Sequence, residues 1–185
     1  FDRLKRKLDY IQPCLIINAA AYTKVDQAER EQNLAFQINA KAPELLAQWC
    51  FHNQSILIHF STDYVYSGKG SQPWCENDRT EPLSIYGKSK LEGDLNILSA
   101  GGNYIIFRTS WIYDSLGANF LRTILDLGNK REFLKIVNDQ IGAPTYAPEL
   151  AQAVWKVLQM TLDLSKSAHF PSGIYHLCHT GFVSW

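Results

Sequence analysis

The strongest constraint on this chain is an alternation of short apolar runs with longer stretches of helical apolar period. Strands of a parallel sheet are buried on both faces and read as unbroken apolar runs, and the crossover between two of them needs a helix. The runs Cys14–Asn18, Ser55–Phe60, Tyr104–Arg108, Phe133–Val137 and Gly173–Leu177 are therefore read as strands. Leu4, Leu8 and Ile11 mark the tail of an amphipathic helix ahead of the first strand. Leu34, Ile38, Ala42, Leu45 and Trp49 recur at steps of three or four and form one apolar helical face, within which Pro43 predicts a break or kink. Helices are further predicted from Ser84 to Leu98, with Leu91, Leu95 and Leu98 as the buried stripe, from Asn119 to Leu127, and from Pro148 to Met160. The expected class is α/β, a doubly wound parallel sheet of Rossmann type with helices on both faces.

Eighteen Lys+Arg balance 18 Asp+Glu. Neither counterion release from nucleic acid nor attraction to an anionic membrane is favoured, so both drop out as expected partners. No apolar run approaches the roughly 20 residues that span a bilayer, and the charged stretch from Phe1 to Tyr10 does not read as a signal peptide. Cys14, Cys50, Cys75 and Cys178 form no Cys-x-x-Cys pair and read as reduced thiols of a cytoplasmic protein. His176 and His179 bracket Cys178 without a carboxylate beside them, and no metal is expected there.

Ligands of such a sheet bind outside the carboxyl ends of its strands. Here those ends are small or polar: Asn18-Ala-Ala-Ala-Tyr-Thr23, Ser61-Thr-Asp-Tyr64 and Arg108-Thr-Ser-Trp111. Downstream, Tyr86 and Lys90 stand one helical turn apart, so phenol and ammonium share one side of the helix. That spacing alone carries little weight, because chance supplies about half a match in a chain of this composition. Its place on a helix flank beside strand ends carries more.

The ordered set is Asn18-Ala-Ala-Ala-Tyr-Thr-Lys-Val-Asp26, Ser61-Thr-Asp-Tyr-Val-Tyr66, Tyr86-Gly-Lys-Ser-Lys90, Arg108-Thr-Ser-Trp-Ile-Tyr113 and Asn138-Asp-Gln-Ile-Gly-Ala-Pro-Thr145. On these segments the chain resembles the extended short-chain dehydrogenase/reductases, and within them the dTDP-4-dehydrorhamnose reductase family, over nearly all of its length. The resemblance implies hydride transfer from NADPH or NADH to the 4-keto carbon of a dTDP-sugar, dTDP-4-dehydro-L-rhamnose, in surface polysaccharide biosynthesis. It implies Tyr86 as the general acid, Lys90 as its charge partner and a ligand of the nicotinamide ribose, and Thr62 as a hydroxyl bonding substrate or phenol. A cation about 6 Å away at an effective dielectric near 20 favours the phenolate by roughly 3 kcal/mol, or about two pKa units, and that is the effect expected of Lys90. Ala20, Ala21 and Tyr22 are the further cofactor contacts implied. Thr62, Asp63 and Trp111 are the substrate contacts, with Thr23 and Val25 on a neighbouring loop and Asn138, Asp139 and Gln140 on the substrate side.

The family's glycine-rich phosphate-binding turn is absent; Gly68 and Gly70 follow a strand but open no helix. The sequence thus reads as lacking the start of its dinucleotide domain and the end of its substrate region, and alone it is expected to bind cofactor weakly. Residues 1–137 are expected to form the incomplete dinucleotide-binding domain and residues 138–185 a mixed substrate-side segment. The choice between NADH and NADPH is unreadable, and a homodimer is left open. Two other readings stand beside the reductase: a non-catalytic binding or regulatory subunit of the same fold, and another sugar-nucleotide epimerase or dehydratase.

Overall fold

The computed structural model describes residues 1–117, 119–161 and 170–185. In chain order it contains helix α1 (Asp2–Ile11), strand β1 (Leu15–Asn18), helices α2 (Val25–Ala28) and α3 (Gln32–Phe36), a π-helical turn (Gln37–Lys41) and helix α4 (Ala42–His52). Strand β2 (Ile56–Thr62), a 3-10 turn (Asp63–Val65), helix α5 (Ile85–Ala100) and strand β3 (Asn103–Thr109) follow. Then come β4 (Ile112–Tyr113), α6 (Phe120–Gly128), β5 (Ile141–Gly142), β6 (Thr145–Tyr146), α7 (Ala147–Thr161), β7 (Gly173–His176) and β8 (Val183–Ser184). No helix among the described residues is long and apolar enough to cross a membrane.

The chain divides into two compact units, Phe1–Arg108 with Thr161–His176, and Thr109–Met160 with Leu177–Trp185. The boundary expected at 137/138 falls inside the second unit, and residues 162–169 of the expected second segment lie outside the described residues. The division comes where β3 ends.

The first unit is built on a sheet of order β1-β2-β3-β7, in which β1 runs parallel to β2 and β3 to β7. Both helical crossovers, β1 to β2 and β2 to β3, step the same way across this sheet, so the right-handed rule sends α4 and α5 to one face. The register there sets Ile16 beside Leu57 and Ile106 beside Ile174, and this row packs against Leu8 of α1, Leu46, Ala47, Trp49 and Cys50 of α4, and Ile97 of α5. Neighbours along a strand point to opposite faces, so the burial of Ile56, Ile58, Ile105 and Phe107 shows the other face of β2 and β3 covered too. Each fully buried Ile contributes about 2–3 kcal/mol. The expected α/β parallel fold is present.

Two helical faces differ from the hydrophobic reading. Pro43 has no amide hydrogen for the carbonyl of Asn39, and the helix widens into its π turn just ahead of it. This extra residue rotates the face, so that Ala35, Asn39, Ala40, Pro43 and Leu46 are buried while Leu34 is exposed. On α5 the expected leucine stripe is turned outward: Leu95 and Leu98 are exposed, and Gly87, Ser89, Lys90, Gly93, Asp94 and Ile97 are buried. The helix buries a polar face because that face has partners. Its start is as expected, with the Ser84 hydroxyl accepting from Gly87 N–H at 3.1 Å, a cap that contributes about 1 kcal/mol.

In the second unit β4 pairs in parallel with β6 and β5 antiparallel with β8. The Asn119 side chain caps α6 by accepting from Arg122 N–H at 3.0 Å. The expected strand at Phe133–Val137 does not form; the segment is irregular, with Phe133 and Val137 exposed. Apolar β-formers make a strand only where a ladder takes them up, and among the described residues no strand pairs with these.

Candidate active site

The end of β2 and the start of α5 meet. At Thr62 the chain leaves the sheet for a 3-10 turn; the Thr62 hydroxyl accepts from Tyr64 N–H at 3.2 Å and donates to Asp63 Oδ1 at 3.0 Å. The first turn of α5 lies so close to this loop that a Cβ on Gly87 would sit 2.3 Å from the Tyr64 carbonyl oxygen. Only glycine allows that approach, and it sets the Tyr86 ring edge-on to Tyr64 with centroids 5.6 Å apart. Burial pushes the Tyr86 phenol up to about 12; a hydrogen bond with Thr62 opposes the rise, while the negative charges of Asp63 and Asp94 add to it. Burial likewise raises the Asp63 carboxyl above its usual range, against its bond from Thr62.

One turn on, Lys90 is only 1% exposed. Its Nζ donates to the Phe60 carbonyl oxygen at 2.6 Å and lies 3.2 Å from His59 Nε2. Burial pulls the ammonium down to about 8, with Asp94 opposing. His59, fully buried, is held well below 6.5 by burial and by the Lys90 charge, so it is neutral. A further turn along, Asp94 Oδ2 accepts from Ser61 Oγ at 2.9 Å and from Arg108 Nε at 3.3 Å, and Arg108 also donates to the Tyr66 hydroxyl at 2.8 Å. Tyr66 lies 2.7 Å from His176 Nε2, so this histidine belongs to the buried network. Such an ion pair costs desolvation on both sides, and Asp94 Oδ2 takes both of its bonds while the buried Oδ1 has no hydrogen-bond partner among the described residues. Here it anchors α5 to β2 and β3.

The structure corrects one electrostatic expectation. Burial dominates at the Tyr86 phenol, so its net shift is upward and not the downward one expected of Lys90, whose Nζ donates to the Phe60 carbonyl and lies beside His59. The hydroxyl is held protonated, which is the form a proton donor requires.

After β1, Ala19 and Ala20 are exposed and Ala21 is half-buried, so the backbone there is open to close approach. Tyr22 is committed to the fold, its hydroxyl donating to Glu31 at 2.6 Å and its backbone N–H to Asn39 Oδ1 at 2.8 Å. Asn39 escaped the sequence reading. Fully buried, it also donates through Nδ2 to the Tyr22 carbonyl and to Ser89 Oγ, both at 3.0 Å, tying the loop after β1 to α5. The signal was available: an amide on an apolar helical face, one turn ahead of a proline. His59 was likewise missed, as a histidine inside an otherwise apolar run.

Thr62, Asp63, Tyr86 and Lys90 are thus brought together in the first unit, with Ala20, Ala21 and Tyr22 on the loop after the adjacent strand. Trp111 belongs to the second unit. It has φ +45°, uncommon for a bulky residue, stacks on Trp185 with centroids 3.6 Å apart, and packs so closely on Gly142 that a Cβ there would lie 2.4 Å from its ring. Gln140 accepts from Trp185 Nε1 at 3.2 Å in the same cluster.

Comparison with known proteins places this geometry among relatives. Residues 1–185 match the family model described as the RmlD substrate binding domain. A dTDP-4-dehydrorhamnose reductase of Burkholderia thailandensis is 40% identical over 184 residues, covering 100% of this chain and 62% of the relative. The spore coat polysaccharide biosynthesis protein SpsK of Bacillus subtilis is 39% identical over 182 residues, covering 98% of this chain and 60% of SpsK. The crystal structure of a Bacillus anthracis dTDP-4-dehydrorhamnose reductase in complex with NADP superposes with a TM-score of 0.90 at 37% identity, over 100% of this chain and 62% of that one. The chain therefore spans about three fifths of the length of these relatives.

Proposed function

The chain belongs to the family of the RmlD substrate binding domain, and from that premise we propose that the whole protein reduces the 4-keto group of dTDP-4-dehydro-L-rhamnose, using NADPH or NADH, to give dTDP-L-rhamnose for polysaccharide assembly. The observation that carries this reading is the convergence of the Thr62 hydroxyl and the Tyr86 phenol at the end of β2, with buried Lys90 one turn below.

The residues present fit a nicotinamide dinucleotide: small side chains after β1 leave the backbone accessible, and Lys90 places an N–H donor, buried in this structure, beside the strand ends. When bound, the reduced cofactor supplies the hydride. Everything else falls to this chain. Tyr86 enters each cycle protonated, because burial holds its phenol near 12, and gives its proton to the carbonyl oxygen as negative charge develops there. Thr62 bonds the same oxygen or the phenol and stabilises that charge. The phenolate left on Tyr86 is costly in its half-buried, largely apolar place, so its proton must be restored before the next turnover; Lys90 is the buried proton carrier on the same helix. Asp63 and Trp111 are proposed as contacts to the sugar nucleotide.

The test is cofactor oxidation by the whole protein with dTDP-4-dehydro-L-rhamnose. One cofactor is expected to be consumed per sugar reduced. Cofactor binding with no oxidation would favour the regulatory reading, and sugar conversion without net oxidation would favour an epimerase or dehydratase.

A further inference from the structure

Behind Lys90 runs a buried file of three polar side chains. Ala20 N–H donates to Asn18 Oδ1 at 3.3 Å, which turns Asn18 Nδ2 toward His59 Nδ1, 3.0 Å away. On the far side of the ring, His59 Nε2 stands 3.2 Å from Lys90 Nζ. Asn18 is 8% exposed, His59 0% and Lys90 1%, so the protons in this file must be satisfied within it.

A neutral imidazole carries one proton and offers one acceptor. With the Asn18 amide donating to Nδ1, the ring proton sits on Nε2 and points at Lys90, and an ammonium has no lone pair to receive it. That arrangement is satisfied only by the amine form of Lys90, which accepts from Nε2–H while still donating to Phe60 O. The ammonium needs the opposite polarity: a bare Nε2, the ring proton on Nδ1, and Asn18 rotated to present its carbonyl oxygen, which gives up the bond from the exposed Ala20's N–H. We propose that Asn18 and His59 are positioning residues that couple the proton on Lys90 to the tautomer of His59. Proton loss then balances simply: one proton leaves Nζ for solvent, the ring proton moves from Nδ1 to Nε2, and the Asn18 amide turns over.

The other charged group facing Lys90 is Asp94 on its own helix, which is neutralised on its far side by Arg108 of β3; Tyr86 stands one turn away. Asp94 favours the ammonium, and burial opposes it. The His59 tautomer decides on which side of that contest the local hydrogen bonding falls. The kinetic meaning of this coupling rests on the reductase reading, since Lys90 is there the carrier that restores the Tyr86 proton.

The experiment is a pH titration of the whole cofactor-free protein, following the His59 ring by its 15N shifts and Lys90 by its 13Cε shift. The expected result is an imidazole that never becomes imidazolium and changes from the Nδ1–H to the Nε2–H form over the same pH interval in which Lys90 loses its proton. A tautomer that stays fixed while Lys90 titrates, or a ring that charges, overturns the proposal. In Asn18→Asp, where the partner can only accept, the ring is expected to stay Nδ1–H, and the alkaline fall of kcat/KM is expected to move up by about one pH unit. An unmoved alkaline limb in a folded variant counts against the coupling, and the wild-type titration decides the matter if the variant does not fold. A coupled tautomer change in a protein that turns over no dTDP-sugar would retire the reductase reading and leave the coupling standing.

Discussion

Tyr86→Phe is expected to lower kcat about a thousandfold while the dissociation constants for cofactor and sugar nucleotide stay within a few-fold. The substitution removes one oxygen and keeps the ring, so the edge contact with Tyr64 that positions the first turn of α5 survives. What is lost is the phenolic proton donor beside Thr62, held protonated near 12 by its burial. Phenylalanine in this setting also relieves a desolvated hydroxyl, so thermal stability should hold or rise slightly. Steady-state kinetics with calorimetric binding measure both halves. A kcat within tenfold of the parent would remove Tyr86 from the chemistry.

Gly93→Ala is expected to be the most damaging small substitution in the first unit. A Cβ there would stand 2.1 Å from the Asn39 backbone oxygen, and 3.3 Å from its carbonyl carbon. The obstacle is backbone held in the π turn ahead of Pro43, not the free end of a side chain, so one of two buried helices must move. Overpacking of this kind costs about 3 kcal/mol, which for a chain of this size lowers the melting temperature by roughly 9 °C. Function should suffer with it, because Asn39 also fastens the loop after β1 and Ser89 of α5. Thermal unfolding of the variant beside the parent reads the effect; a loss under 1 kcal/mol would show that the α5 approach to the π turn is soft.

Much of the scaffold was readable because its signals are local. Apolar runs became β1, β2, β3 and β7, Ser84 and Asn119 became helix caps, and Pro43 marked an interruption. Thr62 stands at the end of β2, on the ligand side of a parallel sheet, whereas Tyr86 and Lys90 of α5 stood out through the resemblance of their segment to a known family and not through their spacing. The inward face of α5 was not readable, since leucines there point outward and the buried positions are held by Lys90, Asp94 and glycine. Hydrophobic periodicity counts transfer free energy and is blind to a charge whose cost is met by a carbonyl of Phe60 or a guanidinium of Arg108. Asn39 and His59 were hidden for the same reason. Phe133–Val137 failed in the opposite sense, as a β-prone run with no ladder to join.

Reduction with cofactor carrying deuterium at the transferable position bears most directly on the claim that the groups at the end of β2 deliver a proton to oxygen while hydride reaches carbon. In the whole protein, mass spectrometry of the product is expected to show one deuterium on the sugar, located at C4 by NMR, with Tyr86→Phe abolishing its appearance on the timescale of the parent. Unlabelled product, or label arriving undiminished without the phenol, would contradict it.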